Sequence, residues 1–500
     1  MIRVIRNDWS AVAVPELGAW TPTSTVSVVV PAYQCQASLD LVLAALAGQT
    51  YPAELLDVVV VDDGSQPRLR LPERRPANTT LIWAPDRTDG WGIASACDIG
   101  FRASTGEIVL RLDADMVVYP EHVEAHARWH HAIPYAVTLG YKRFVDRAEW
   151  PAPAELVARG VPGLFDEGEP HQYVEELIER TDQLRAADHT VFRAHVGATV
   201  AVRRELYEVA GGYDPMLRRG SDTEFGYRLT QAGAVFVPEP AAKSWHLGAS
   251  NMMRDQERIQ RYSRPFLADR MPHPRWLRRA GGTGWSVPLA TVAMEVDGQP
   301  LEVVRTAVDA ILRGAERDVR VLLVGGWDKV TDERQPVLAD PVLDLRLVAA
   351  SYQSDPRVRL VDRVPESVFP SPYLLRVPAT AALTRTAIPT LIAEADRAGT
   401  GLIRVDLPSG GTVELWRTAA LGRARWTRRD GESLADAVAA AYGVRAMSTD
   451  DSGGFVSAVP LAALDGGPAT IEVGGLRSWA RATVLVARLT VRRLLARLRR

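Results

Sequence analysis

Two carboxylates two residues apart, closing an apolar run, are the feature of this chain that most plainly could do chemistry. Residues 107–120 read EIVLRLDADMVVYP. Ile108, Val109, Leu110 and Leu112 have the character of a buried strand. Asp113 and Asp115 end it, and Met116, Val117 and Val118 follow at once. Two acids in so apolar a setting are costly unless something pairs with them. Acids at i and i+2, where a strand opens into a loop, can face one cation through oxygen ligands. A second acid pair, Asp62 and Asp63, ends LLDVVVVDDGS (55–65). An Asp before Gly-Ser is also a good turn former, which is the plainer reading of Asp62.

The elements that must hold these acids follow from periodicity. VSVVVPAY (26–33), LLDVVVVDDGS, TTLIWAP (79–85) and the opening stretch are strand-like runs, while 38–50, 92–103 and 120–130 read as helices. Alternation at this spacing predicts a mainly parallel α/β sheet. Ligands gather at the carboxyl ends of strands in such sheets, and both acid pairs fall there. Residues 140–190 are more charged and less regular, as an acceptor-facing insertion would be. Residues 196–233 resume strand, turn and amphipathic helix, and VFVPEPAAKSWHLG (235–248) is a strand and loop carrying His246.

Composition limits the function classes. The chain has 500 residues, 47% hydrophobic and 24% charged, as in an ordinary globular protein of two or three domains. A net charge of −2 gives no general attraction for nucleic acid, so no such partner is expected. Cys35 and Cys97 are the only cysteines, which argues against a disulfide framework and for a reducing, cytoplasmic compartment. No apolar stretch of about 18 residues is present to span a bilayer. The N-terminus lacks the apolar core of a signal peptide.

The second half reads as the first half again, without its acids. TVAMEVDGQPLEVVRTAVDAIL (291–312) parallels the first strand and helix. VRVLLVGGWD (319–328) parallels LDVVVVDDGS, with Gly325 and Gly326 in place of Asp62 and Asp63. PYLLRVPATAAL (372–383) parallels the opening stretch, with Pro378 and Thr380 in place of Asp113 and Asp115. GTVELWRTAALG (411–422) parallels GATVAVRRELYEVAG, and 140–190 has no counterpart. An unrelated α/β domain is the alternative to such a repeat.

Three motifs in order, VSVVVPAYQCQASLDLVLAALAGQTYPAELLDVVVVDDGS, GEIVLRLDADMV and GGYDPMLRRGSDTEFGYRLTQAG, resemble a family 2 glycosyltransferase of the GT-A fold over roughly residues 26–250. The resemblance implies a Rossmann-like catalytic domain at 26–265, after an N-terminal extension (1–25). A linker (266–286), a degenerate glycosyltransferase-like domain (287–465) and a basic tail (466–500) would follow. It implies an inverting, metal-dependent transfer from a nucleotide-diphosphate sugar to a hydroxyl of a glycan or lipid-linked acceptor. Asp115 and His246 would hold Mn²⁺ or Mg²⁺. Asp113 and Ala114 would contact the donor, Asp63 the uracil imide, and Pro31, Ala32 and Tyr33 the base. The donor loop DRTDGWGIASACDIGF contributes Gly92. Where relatives often read A-R-N it has Cys97, so Arg87 or Arg111 would have to replace the missing Arg. Lys243 and Arg228 are further candidates for the diphosphate. Asp222 holds the place of the family's general base, and Ser221 replaces the Glu that precedes it at the acceptor. An Asp there also caps a helix, and SDTE fits a capping box from Ser221 to Glu224.

Residues 477–500 hold eight Arg and no acid, interrupted by Val and Leu. As a basic amphipathic helix they suit an anionic membrane surface, placing the protein peripherally on the inner face of the cell membrane. A solvated helix or a homo-oligomer contact is the alternative. Two rival functions remain. A nucleotidyltransferase would want a basic Gly-rich loop after the first strand, where VPAYQCQAS offers none. A non-catalytic glycan-binding or scaffold protein fits the second half better than the first.

Overall fold

The computed structural model describes residues 2–86, 90–146, 149–279, 281–334 and 336–459. Arg87 and the expected tail at 466–500 lie outside the described residues. The chain divides into two compact units, residues 1–277 with 419–441, and residues 278–418 with those from 442 onward.

In the first unit, β1 (Val26–Ala32), β2 (Leu56–Asp62), β3 (Thr79–Trp83) and β4 (Ile108–Leu112) form a parallel block in the order β3-β2-β1-β4. Helices α1 (Gln36–Leu46) and α2 (Ile93–Ala103) link β1 to β2 and β3 to β4. β1 and β4 are buried at every position, as strands covered on both faces must be, which explains their unbroken apolar runs. After β4 come β5 (Met116–Val118), α3 (His122–Ala132), β6 (Ala136–Val145), α4 (Pro153–Arg159), β7 (Glu169–Pro170) and α5 (Gln172–Arg180). They are followed by β8 (Thr199–Arg203), α6 (Arg204–Val209), α7 (Ser221–Gln231), β9 (Val235–Leu247) and α8 (Asn251–Arg270). The sheet continues β4-β8-β6-β9-β5, with β8 antiparallel to β4 and β6. The opening stretch is therefore two strands rather than one. β4 stays between β1 and β8, β5 leaves to pair antiparallel with β9, and the acid pair is the turn between them. The partner that draws β5 away is distant in sequence, so periodicity could not reveal the break.

The second unit has β10 (Ala290–Glu295), β11 (Val319–Val324), β12 (Val358–Val361), β13 (Tyr373–Arg376), β14 (Ala381–Leu383), β15 (Leu402–Asp406), β16 (Thr412–Arg417), β17 (Val444–Ala446) and β18 (Phe455–Ser457). Helices α9 (Leu301–Leu312), α10 (Leu343–Tyr352) and α11 (Ala387–Ala398) accompany them. Its strand order, β12-β11-β10-β13-β16-β15-β17, repeats that of the first sheet. The register repeats too. Arg111 sits opposite Val29 and Val200, and Arg376 opposite Ala293 and Glu414. The turn bond from Met116 N–H to the Asp113 carbonyl (3.1 Å) recurs from Ala381 N–H to the Pro378 carbonyl (2.9 Å). Pro378 and Thr380 thus occupy the backbone places of Asp113 and Asp115. Residues 407–411 connect β15 to β16 directly where the first unit inserts α4, β7 and α5.

The expected boundaries need correction. α8 runs on to Arg270, so the linker expected at 266–286 begins inside a helix. The domain expected at 287–465 is interrupted, because α12 (Thr418–Thr427) and α13 (Leu434–Tyr442) fall almost wholly in the first unit. Arg423 is the anchor. It is fully buried, and its guanidinium donates to the carbonyls of Gly233 (2.6 Å), Ala234 (2.9 Å), Val4 (2.8 Å) and Arg6 (3.0 Å). The N-terminal segment is also built in. Asn7 donates to the carbonyls of Leu184 and Phe236 (both 2.9 Å) and accepts from Phe236 N–H (2.8 Å).

α3 carries three buried histidines at i, i+4 and i+8. His122 Nδ1 donates to the Lys243 carbonyl (2.9 Å), which can only accept. That choice fixes the remaining directions. Thr199 donates to His122 Nε2 (2.7 Å), and His126 Nε2 donates to Thr199 (3.1 Å). Thr138 donates to His126 Nδ1 (2.7 Å), and His130 Nε2 donates to Thr138 (3.2 Å). All three rings are neutral. Burial pulls His122 down to about 4, His126 well below its usual value and His130 to about 3. Unfolding returns each to about 6.5. Stability is therefore complete above about pH 6.5 and is lost as pH falls through the folded values, at about 1.4 kcal/mol per histidine per pH unit. Urea midpoints should drop steeply between pH 6.5 and 5, and less steeply in His126→Gln. A wild-type midpoint that is flat over this range would contradict the neutral row.

Candidate active site

The residues expected to contact the nucleotide meet where β1 and β2 end and α2 begins. Asp62 is 1% exposed, and its carboxylate accepts from Ser65 N–H (2.9 Å) and Leu69 N–H (2.8 Å), so it builds the turn. Asp63 is different. Its backbone N–H donates to the Ala32 carbonyl (2.8 Å), and its Oδ2 accepts from Gly92 N–H (2.7 Å). Burial pushes its carboxyl up, against the Gly92 hydrogen bond and the Arg218 charge. Gly92 has φ +95°, which a side chain would strain. Pro31, Ala32, Asp63 and Gly92 come together here, with Tyr33 exposed beside them. Sequence reasoning missed Arg218. It donates to the carbonyls of Trp91 and Pro215 and lies 4.7 Å from the Trp91 ring centre.

The acid pair is fixed by its backbone. Asp113 N–H donates to the Ala198 carbonyl (3.0 Å), and Leu247 N–H donates to the Asp115 carbonyl (2.9 Å). Pairing of β5 with β9 sets Met116 opposite His246 and brings that ring to the acids. His246 Nδ1 donates to the Gly248 carbonyl (2.9 Å), which orients the ring so that Nε2 lies 3.8 Å from Asp115 Oδ1. Asp115 is half-exposed as a side chain, yet its Oδ1 is buried and has no hydrogen-bond partner among the described residues. Burial pushes the Asp115 carboxyl up, and the facing His246 opposes that. An orphaned carboxylate oxygen facing an oriented imidazole nitrogen fits a divalent cation.

Arg111 ties the acid turn to Asp222. It is 5% exposed on β4. Its Nε and Nη2 donate to Asp113 Oδ1 (3.2 and 2.9 Å), and its Nη1 donates to Asp222 Oδ1 and to the Tyr213 hydroxyl (3.2 Å). Burial opposes its charge, but Asp113 and Asp222 more than offset this, and its pKa stands well above the usual value. Gly197, at φ +69°, leaves the necessary room, since a Cβ there would overlap both the Arg111 guanidinium and the Asp222 carboxylate. Arg111 is spent on these acids and does not replace the family's diphosphate Arg.

α7 begins at Ser221, with Gly220 (φ +81°) as its N-cap. The capping box from Ser221 to Glu224 does not form, because Glu224 is buried in a bidentate pair with Arg228 (2.6 and 2.7 Å). Arg228 is thereby structural. Ser221 is 2% exposed and is not presented to an acceptor. Asp222 is held instead through its own carbonyl, which accepts from His195 Nδ1 (2.8 Å). Lys243 is exposed. Cys97 is buried, which pushes its thiol up to about 12 and makes it no nucleophile.

Lys142 is a buried cation that sequence reasoning passed over. It stands on β6 opposite Ser244, and Phe144, two positions on, stands opposite His246. Burial pulls its ammonium down to about 8, against the attraction of Asp113, Asp222 and Asp115. A signal existed. Lys142, Lys243 and Lys329 are the only lysines in a chain whose basic residues are otherwise Arg.

Residues 27–209 match the family model described as Glycosyl transferase family 2. The chain is 23% identical to a chondroitin synthase from Escherichia coli over 360 residues, 68% of this chain and 50% of that protein. It is 27% identical to a validoxylamine A glucosyltransferase from Streptomyces hygroscopicus subsp. limoneus over 270 residues, 48% of this chain and 55% of that one. A mannosyltransferase from Pyrobaculum calidifontis, solved with GDP-Man and Mn²⁺, is similar over 48% of this chain and 61% of that chain, at 21% identity and a TM-score of 0.32. The chain thus spans about half the length of these two sequence relatives. The matched part of the chain is a family 2 glycosyltransferase domain, and the sheet it builds is mixed α/β. No helix among the described residues is long and apolar enough to cross a membrane.

Removing Arg111 leaves two acids facing each other in a buried site. Arg111→Met should cost about 3 kcal/mol of unfolding free energy, and adding Asp222→Asn should recover part of it. Urea denaturation of the single and double variants measures both. Additive losses would show that the two groups do not interact.

Proposed function

We propose that this chain transfers a sugar from a uridine-diphosphate sugar to a hydroxyl of a glycan or lipid-linked acceptor, with inversion. One observation carries the reading. A single guanidinium, that of Arg111, holds the donor-side acid Asp113 and the acceptor-side acid Asp222 in one site, beside the orphaned Asp115 Oδ1 and its facing His246.

Pro31, Ala32 and Tyr33 line the base pocket, and Asp63 keeps Oδ1 for the uracil imide while Oδ2 holds Gly92. Asp113 and Ala114 position the ribose and diphosphate. Asp115 and His246 would hold Mn²⁺ or Mg²⁺, which when bound neutralises charge on the departing diphosphate. Asp222 takes the proton of the attacking hydroxyl at Oδ2, its Oδ1 being engaged by Arg111. The start of α7 is fixed by Gly220 and His195, so that carboxylate is placed before substrate arrives. The second unit has Gly325, Gly326, Pro378 and Thr380 at the corresponding positions, so the chemistry is assigned to the first. A nucleotidyltransferase is disfavoured because β1 leads into α1 without a basic, Gly-rich loop.

Asp115→Ala should abolish transfer and weaken donor binding. Asp222→Asn should slow transfer by about 10² to 10⁴-fold, the span of general-base catalysis, while keeping donor affinity. Transfer assays with sugar nucleotides and Mn²⁺, with the product anomer assigned by NMR, test both. Near-wild-type turnover in Asp222→Asn, or a retained anomer, would remove Asp222 as base.

A further inference from the structure

Trp91 has no part in the reaction as described above, yet it is one of two exposed rings that flank Asp63. Asp63 is held by backbone groups on two sides. Its N–H donates to the Ala32 carbonyl (2.8 Å), and its Oδ2 accepts from Gly92 N–H (2.7 Å). Tyr33 follows Ala32 in the chain and is 60% exposed, and Trp91 precedes Gly92 and is 61% exposed. Both positions are anchored. Gln34, next to Tyr33, takes a left-handed conformation (φ +53°) that side-chain-bearing residues rarely adopt, and its N–H donates to Ser65 Oγ (2.8 Å). Arg218 holds Trp91. It donates to the carbonyls of Trp91 and Pro215, and its guanidinium carbon lies 4.7 Å from the indole centre. Its Cδ lies 3.4 Å from where a Cβ on Gly92 would stand. A cation thus covers one face of the indole, and much of the ring stays open to solvent. Fixing so large an apolar ring at the surface costs free energy that a ligand can return.

We infer that Trp91 is the second wall of the base pocket, its indole stacking on the face of the uracil ring that Tyr33 leaves open. This rests on the transferase reading above. There the uracil imide meets Asp63 Oδ1, so the base lies at that carboxylate. Asp63 is tied to the end of β1 and to the residue before α2, and each of those ties has an exposed ring beside it. A planar base offers two faces, and a ring on each removes both from water. Indole has the largest π-face of any side chain, and the guanidinium stacked behind it holds its plane. A sugar ring of the acceptor is the rival occupant, because Arg218 belongs to the segment that leads to Asp222. The contacts favour the base. Trp91 is one residue from the Gly92 N–H that holds Asp63, whereas Arg218 is four residues from Asp222. Stacking tolerates any base, so Trp91 supplies affinity and Asp63 supplies the choice of base.

Calorimetry with Mn²⁺ would compare UDP, GDP and inorganic pyrophosphate on wild type, Trp91→Ala and Trp91→Phe. The Trp91 ring is exposed, so neither substitution should lower the thermal midpoint. The nucleoside diphosphate that wild type binds best should lose about ten- to a hundredfold in Trp91→Ala. Most of that affinity should return in Trp91→Phe. Pyrophosphate has no base and should bind all three proteins alike. Unchanged nucleotide affinity in Trp91→Ala, as expected of a ring that serves the acceptor, would overturn the proposal. So would an equal loss on pyrophosphate, which would place the effect on the diphosphate. A wild type that prefers GDP would remove uridine from the reading above, and the Trp91→Ala loss on GDP would then decide the wall. Wild-type protein that binds neither nucleotide would remove the transferase reading itself, and this wall with it.

Discussion

The buried guanidinium of Arg111 is the constraint on which the site depends. An arginine inside a fully buried strand is tolerable only if its charge and donors are met. Here Asp113, Asp222 and the Tyr213 hydroxyl meet them. Asp113 arrives from the same strand, two residues on. Asp222 arrives from the start of α7, far along the chain. Tying them together fixes the start of α7 against the acid turn. Other features are there to permit this bond. Gly197 withholds a Cβ, Gly220 turns the chain into α7, and His195 grips the Asp222 carbonyl.

The skeleton was legible in the sequence because it is local. The runs from Val26, Leu56, Thr79 and Ile108 became strands within a residue or two of where their composition ends. The acids fell at strand ends because a strand stops where burial stops. Asp62 was legible too, as a turn former, and its carboxylate accepts from Ser65 N–H three residues on. What could not be read was tertiary. β5 is an apolar triplet like many others until β9 claims it. Ser221 and Glu224 have the spacing of a capping box, but Arg228, one turn further along, takes the Glu. The stretch 419–441 lies between β16 and β17 of the second sheet, yet belongs to the first unit, where Arg423 donates to the carbonyls of Gly233 and Val4.

Polar groups inside this fold divide by whether the fold satisfies them. On α3, His122 and His126 are closed link by link from Lys243 to Thr138, and Arg423 spends itself on four carbonyls. Such groups specify structure and need no ligand. Asp115 Oδ1 is different, buried at the acid turn without a hydrogen-bond partner among the described residues. A carboxylate oxygen left open in this way costs stability that a ligand can return.

The second sheet shows what the first would be without chemistry. Register and strand order persist, so the apolar skeleton alone is enough to specify them. An arginine persists as well. Arg376 takes the register of Arg111, but its Nε is buried without a hydrogen-bond partner, beside the Trp416 ring. The backbone differs at one point. Asp113 donates its N–H to Ala198, whereas Pro378 has no N–H to give. Opposite it, Gly411 has a positive φ, as Gly197 does, but a Cβ there would meet only the Pro378 ring, at 3.3 Å. In the first unit that same tie and that same glycine hold a turn flush against a guanidinium and two carboxylates. The fold survives with a proline in the turn, so the Asp113 N–H bond is not needed for the fold. What it secures is the alignment of Asp113 and Asp115 with Arg111, and that alignment has a purpose only where the acids remain.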